Sequence, residues 1–341
     1  MKNIFVALTL CATASLCAQV TITENKWNGN RPDAHAPISI MGDHTHGKGE
    51  FMLSYRYMYM DMHDLKRGSD DASFISALKP NDKYMVTPTR MPMHMHMLCL
   101  MYAPTNRVTL MAMGMYSESS MKHLTVMGAN FTTASNGWGD VQVSALYKFL
   151  EAGTTKMHLQ AGISLPTGSI DEKGVTPMSM GMKMVMPYAM QIGSGTYDGL
   201  FGLTFLKQWQ ATSFGAQAKS TIRFGENDNG YTLGNNYRLN SWYSYKATDV
   251  MSLSLRAEGV IVDEISGSNP ALNPMMVSTA DTANSGGTYV NLGLGANFFV
   301  PKGCLKDLRF SVELAYPLYQ DLNGVQLKAQ EVFTTGVQYA F

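Results

Sequence analysis

From residue 50 to its end the chain alternates between apolar and polar positions in bursts of about ten residues. Near 141, Val141, Val143, Ala145, Tyr147 and Phe149 share one face, and Gln142, Ser144 and Lys148 share the other. Near 251, Met251, Leu253, Leu255 and Ala257 oppose Ser252, Ser254, Arg256 and Glu258. Near 308, Leu308, Phe310, Val312, Leu314 and Tyr316 oppose Arg309, Ser311 and Glu313. Successive side chains of a strand point to opposite faces, so each burst predicts a strand with one apolar and one polar face. Such segments fall at 50–60, 91–102, 108–116, 140–149, 156–165, 190–206, 209–224, 237–246, 250–260, 288–300, 308–317 and 331–341, twelve in all. A strand of roughly 9–11 residues crosses a bilayer when its apolar side faces lipid and its polar side faces a lumen. The fold class expected is therefore all-β, a transmembrane antiparallel β-barrel of about 12 strands.

The connections keep a rhythm of their own. Short ones at 103–107, 150–155, 207–208, 247–249 and 301–307 alternate with longer ones at 61–90, 117–139, 166–189, 225–236, 261–287 and 318–330. Short periplasmic turns and long extracellular loops alternate in this way in outer-membrane barrels. Tyr55, Tyr57, Tyr59, Tyr243 and Tyr245 sit on the apolar faces, where an interfacial aromatic girdle belongs. Ahead of the strands, Lys2, the mostly apolar run Ile4 to Leu16 and the small residue Ala18 read as an export signal over 1–18. Leu precedes both Cys11 and Cys17, so no lipid-acceptor pattern is formed. The division is thus 1–18 signal peptide, 19–49 N-terminal periplasmic arm or plug, and 50–341 barrel. The expected location is the outer membrane, with lipid as the first partner. Cys99 and Cys304 remain after the leader and read as separate structural thiols.

Composition narrows the function. The 26 basic and 26 acidic side chains balance, which leaves no basic stripe for nucleic acid. No apolar run after residue 18 approaches the roughly 20 residues of a membrane helix, so a helical transporter is excluded. G-x-S-x-G, P-loop and H-E-x-x-H patterns are absent, and the chain is not expected to be an enzyme.

The unusual feature is methionine, 27 residues of it. The residues recur at spacing two: Met58, Met60 and Met62; Met91, Met93, Met95 and Met97; Met111, Met113 and Met115; Met178, Met180, Met182, Met184 and Met186. Spacing two puts each set on one face of an extended chain. In the first strand Phe51, Leu53, Tyr55, Tyr57 and Tyr59 form the lipid face, so Met52, Met58 and Met60 share the lumen with Ser54 and Arg56. The same argument puts Met91 to Met101 with Cys99, and Thr109 with Met111 to Met115, inside. His94 and His96 then face outward. The Met178–Met186 run is expected in an outer loop on the same side as the mouth of this wall. Thioethers are soft ligands that select Cu(I), and imidazoles suit Cu(II) or Zn. His44 and His46 are the candidate imidazole ligands. Asp43 and Asp61 read as turn caps, and Arg56, Arg256 and Glu258 as lumen charges that set ion preference.

Two short motifs add a resemblance. Leu165-Pro166-Thr167-Gly168-Ser169 closes one strand, and Gln191-Ile192-Gly193-Ser194-Gly195-Thr196-Tyr197-Asp198-Gly199-Leu200 opens the next. The pair resembles the outer-membrane transporter family that carries the name of the meta-pathway of phenol degradation, a name that reflects gene context. Met41-Gly42-Asp43-His44-Thr45-His46 with Gly49-Glu50, leading into Tyr55-Arg56-Tyr57-Met58, looks like a methionine-rich branch of it. The resemblance implies an outer-membrane barrel that is a channel for small molecules; phenol is not inferred as the cargo. The ending Val337-Gln338-Tyr339-Ala340-Phe341 resembles the C-terminal signal read by the barrel-assembly machinery. The expected function is a channel or binding barrel for small solutes, with copper bound by lumen and loop methionines. Two alternatives stand beside it: a channel for small hydrophobic or aromatic molecules, and a non-transporting surface metal-binding or structural barrel. No cofactor is required; Cu(I) is the one candidate.

Overall fold

In the computed structural model, which describes residues 26–341, strands β1 (Phe51–Gly68), β2 (Val86–Tyr102), β3 (Val108–Thr125), β4 (Asn130–Trp138), β5 (Val141–Ala152), β6 (Thr155–Leu165), β7 (Tyr197–Gln208), β8 (Thr212–Phe224), β9 (Asn236–Lys246), β10 (Met251–Val262), β11 (Gly287–Phe299) and β12 (Leu308–Ala340) follow one another along the chain. The leader expected over 1–18 lies outside the described residues. All of these strands but β4 close an antiparallel barrel in chain order, with β12 paired to both β11 and β1; β4 pairs β3 alone, and the short strand Asp70–Ala72 pairs β1. Closure leaves no unpaired edge, the condition for a sheet in hydrocarbon. Among the described residues no helix is long and apolar enough to cross a membrane.

The last element is two crossings. Its 33 residues would extend roughly 110 Å as one straight strand, several times a hydrocarbon core. Arg309 pairs Phe299 and Leu322 pairs Gly287, so its first part rises along β11. Leu322 also faces Gly68, and Ala340 faces Met52, so its second part descends along β1. Between them the chain turns at Asn323-Gly324, where Gly324 takes φ +61°. The wall is therefore crossed twelve times.

Exposure follows parity. Leu53, Leu100, Leu110, Val143, Leu159, Leu203, Leu253, Leu294, Phe310 and Leu314 are exposed on the outside, and Ser54, Ser144, Gln160, Thr204, Gln217, Asn240, Ser254 and Glu313 are buried inside. This is the lipid-out, polar-in arrangement that the alternation predicts.

Three connections differ from the sequence reading. The expected loop 117–139 is strand: β3 runs on to Thr125 and turns back as β4. The expected loop 318–330 is the tip of the β12 hairpin. Part of 61–90 is the upper end of β1 and the lower-numbered end of β2. Above the lipid a strand no longer needs an apolar outer face, so alternation fades while backbone pairing continues.

The two family-like motifs pack together. A Cβ on Gly193 would collide with the Gly168 backbone, and one on Gly168 would meet that of Gly193. Asp140 clamps the pair, accepting from Gly168 N at 2.9 Å, Ser194 N at 2.9 Å and Ser194 Oγ at 2.7 Å. The close approach demands glycine at both positions and joins the two ends of the 166–196 loop.

Candidate functional site

Residues 26–49 lie inside the barrel at the end where the short turns are. The segment enters beside that rim: Trp27 N donates to Gly153 O, and Asn28 exchanges two hydrogen bonds with Gln208. Arg309 donates to Arg31 O and Gly29 O. Ala36 and Ile40 pack on Leu206 and Trp242. At the far point of the segment, Gln217 Nε2 donates to Met41 O, and His158 Nε2 lies 2.9 Å from Gly42 O. The chain then returns to the same rim, where His46 N donates to Thr109 Oγ1 and Gly49 N to Ala103 O.

Around this segment, one arc of wall is methionine. The register of β1 and β2 sets Met52 opposite Met101, Met58 opposite Met95, Met60 opposite Met93 and Met62 opposite Met91. Across β2 and β3, Met97 faces Met115, Cys99 faces Met113 and Met101 faces Met111. Directly opposed side chains have Cβ atoms about 4.5–5.5 Å apart, within reach of two flexible thioethers. From Met52 to Met62 the stripe runs roughly 33 Å at strand rise, about the thickness of a hydrocarbon core. At the short-turn end Met52, Met101 and Met111 form a buried cluster with Cys99 and Leu146, with Met113 against it. At the long-loop end Met91, Met121, Met186 and Met190 form a second cluster, with Met62 and Met93 packed on it.

The loop methionines divide. Met186 is 2% exposed and joins the second cluster, whereas Met180 is 92% exposed, and Met178, Met182 and Met184 are exposed too. The single face expected of this run does not form. Pro177–Ser179 is a turn of 3-10 helix and Met180 takes φ +48°, so only Lys183–Val185 is extended. Met121 and Met190 complete the cluster and were missed: Met121 lies past the expected end of its strand, and Met190 follows Met186 at spacing four. His94 and His96 face outward, as expected, and accept or donate at 2.8 Å with Tyr57 and Tyr55.

Two expected turn caps prove otherwise. Asp61 is buried and grips Arg90 through contacts of 2.8 to 3.1 Å. Asp43 is buried in the N-terminal segment, where its Oδ2 accepts from Ala36 N at 2.8 Å and its Oδ1 lies 2.8 Å from His44 Nδ1. His35 lies against His44 with ring centroids 3.9 Å apart and planes tilted by 35°, and His46 sits edge-on to His44 at 4.9 Å. His46 Nδ1 lies 3.3 Å from Glu50 Oε2. The Nε2 atoms of His44 and His46 are buried with no hydrogen-bond partner, which costs roughly 1–3 kcal/mol per orphaned group. Burial, with Arg309 and His44 beside it, pushes His35 well below the ordinary imidazole range. Burial, then His44, pushes His46 down to about 4. Burial alone would raise the Asp43 carboxyl, but His44, His35 and the Ala36 N–H hold it below the usual carboxylate range. Near neutrality His35 and His46 are thus neutral and Asp43 is ionised. His35 and Asp43 were not read from the sequence as site residues.

The expected lumen charges do face inward. Arg256 is bound on two sides, by Glu313 at 2.7 Å and Glu258 at 3.0 Å, and Glu258 also takes Arg238 at 3.2 Å and Asn291 at 2.9 Å. Arg56 is buried with its Nε unpartnered among the described residues. Cys99 and Cys304 are free thiols, one buried and one exposed.

Residues 102–329 match the family model described as "Putative MetA-pathway of phenol degradation". The chain belongs to this family. Among solved structures it is similar to an outer-membrane channel from Pseudomonas putida F1, with TM-score 0.62 and 14% identity over 88% of this chain and 98% of the other. It also matches the transport unit of the autotransporter AIDA-I from Escherichia coli, at TM-score 0.48 and 11% identity over 89% and 93%. No curated protein matches the chain. The fold is that of an outer-membrane barrel, and the methionine stripe and the histidine cluster are built onto it by this chain's own residues.

Proposed function

We propose that the barrel is an outer-membrane channel for a small solute, and that Cu(I) is the solute its methionine stripe handles. The observation that carries this reading is the set of opposed methionine pairs between β1 and β2, three in succession from Met58 to Met62 and one at Met52, with Ser54 and Arg56 between. Thioether pairs are soft and uncharged, so each holds Cu(I) weakly. Conduction needs several weak sites in series rather than one tight one; three successive pairs toward the long-loop end and a fourth at the short-turn end supply such a series. Exposed methionines at 178, 180, 182 and 184 stand on the loop that leads to buried Met186 and Met190. Four exposed thioethers on that loop give the mouth a capture surface in this reading. The short-turn end, where residues 26–49 sit, faces the periplasm in this reading, and that segment acts as a plug. The rest of the lumen is lined by Ser, Thr, Gln, Asn and charged side chains, which suits an ion better than a hydrophobic molecule.

The test is a Cu(I) titration of the refolded barrel in detergent, against a colorimetric chelator under reducing conditions. The reading expects bound Cu(I) that is lost when Met58, Met60, Met62, Met91, Met93 and Met95 are replaced by Leu. No more Cu(I) than a methionine-poor control barrel binds would retire it. Uptake of small hydrophobic solutes, which Leu supports as well as Met, would then be the next measurement.

A further inference from the structure

We infer that the N-terminal segment carries a second metal site, distinct from the methionine stripe, in which His35, Asp43 and His44 hold one divalent transition-metal ion of the Cu(II)/Zn(II) class, with His46 beside them. His35, Asp43 and His44 each offer a ligand atom, and these atoms lie within 4.8 Å of one another. His44 and His46 are only 8% and 7% exposed. Each has its Nδ1 beside a carboxylate, Asp43 for one and Glu50 for the other. Each leaves its Nε2 buried and unpartnered. Asp43 and His44 thus stand side by side as carboxylate and imidazole donors with a buried ring nitrogen to spare, and Glu50 fixes the tautomer and ring of His46 as outer carboxylates do around metal sites. A purely structural histidine in this setting would be expected to spend both nitrogens on partners, as buried polar groups do. Imidazole and carboxylate together suit Cu(II) and Zn(II), whereas the stripe's thioethers suit Cu(I). Asp43 and Glu50 supply negative charge against the nearby guanidiniums of Arg56 and Arg309.

The placement has a consequence for the plug. All three ligands lie between positions 35 and 44, and Ala36 N already bonds Asp43 at the neck of that turn. An ion bound there ties the two limbs of the inserted turn together. The metal-loaded segment is thereby held in its docked shape.

The experiment uses the full barrel without a histidine tag, refolded in detergent and stripped of metal. Cu(II) and Zn(II) are each titrated against a competing chelator, and the Cu(II) form is examined by electron paramagnetic resonance. One ion per barrel is expected, with nitrogen superhyperfine splitting in the spectrum. The His44→Ala/His46→Ala variant, shown to be folded by its heat-modifiable gel migration, should lose the site. Asp43→Asn, which removes an anionic ligand, should weaken it at least about 10-fold. The Met→Leu barrel should keep it, so failure of the Cu(I) reading leaves this one standing and the reverse also holds. Absence of stoichiometric binding by the unaltered barrel, a Cu(II) spectrum without nitrogen coupling, or undiminished binding by the folded double variant would each overturn the assignment. The first two outcomes need no variant to fold.

Discussion

Two arcs of the same lumen meet their side-chain needs in opposite ways. Across β9 to β12, Arg256, Glu258, Glu313, Arg238, Asn240 and Asn291 satisfy one another in a closed network. Across β1 to β3, methionines face methionines and bond to nothing. Both arcs share strand geometry, parity and depth. Only the side chains differ, and with them the chemistry left over. A saturated ion-pair network has little capacity left for a passing solute, whereas a thioether keeps its lone pairs. The comparison assigns integrity of the wall to the charged arc and leaves the methionine arc free for the binding proposed above.

The strongest way to break that contrast is Arg256→Leu. Glu313 is buried and has Arg256 as its ion-pair partner, so the substitution strands a carboxylate. Removing one member of a buried pair costs about 3–5 kcal/mol. The urea midpoint of the folded barrel, read by gel migration, should fall accordingly. A midpoint within error of the parent would mean that water in the lumen already solvates the network and that the charged arc is not structural.

The plug should respond to acid by a smaller amount. Docked His46 titrates near 4, against about 6.5 for a free histidine. Between those values the undocked segment binds more protons than the docked one, so docking weakens as pH falls through that window and is fully supported above it. His35 is displaced in the same direction. Asp43 is depressed instead, so its contribution is present above the ordinary carboxylate range and is lost as pH falls below it. All three therefore make acid the unfavourable side. His46 alone accounts for up to roughly 3 kcal/mol. Hydrogen-exchange protection of the Ala36 and Ile40 amides in the metal-free barrel should drop between pH 7.5 and 5. Equal protection at both would contradict the buried, neutral histidines.

The sequence disclosed the arcs unevenly. Strand parity was legible because lipid imposes apolar residues at every second position, so Leu98, Leu100 and Tyr102 alone placed Met91 to Met101 inside. The stretch 117–139 was not legible: Glu118, Ser120 and Lys122 face out above the lipid, where nothing enforces alternation, yet the backbone pairs on to Thr125. The β12 hairpin carries a local signal in Asn323-Gly324, a dipeptide favoured in tight turns, and reading it would have removed the supposed loop at 318–330. Met190, His35 and Asp43 had no periodicity to reveal them. Their positions follow from how a loop and the N-terminal segment dock, which is tertiary information. His44 and His46 stood out as a pair with Asp43 adjoining, read there as a turn cap, but the third imidazole, His35, is brought to them only by the folding of the segment.

The smallest expected effect sharpens the comparison most. Leu and Met have similar volume, and such exchanges usually cost under about 1.5 kcal/mol each. Replacing Met58, Met60 and Met62 by Leu touches side chains that are half-buried and make no hydrogen bond, so the urea midpoint should move far less than in Arg256→Leu. Cu(I) retention by the same protein should nevertheless drop sharply, because a methylene donates no lone pair. A stability loss as large as that of Arg256→Leu would make the methionines a packing core and erase the distinction between the arcs. Small change in stability with a large change in Cu(I) separates ligand from filler, since the two roles share every property of these side chains except the sulfur.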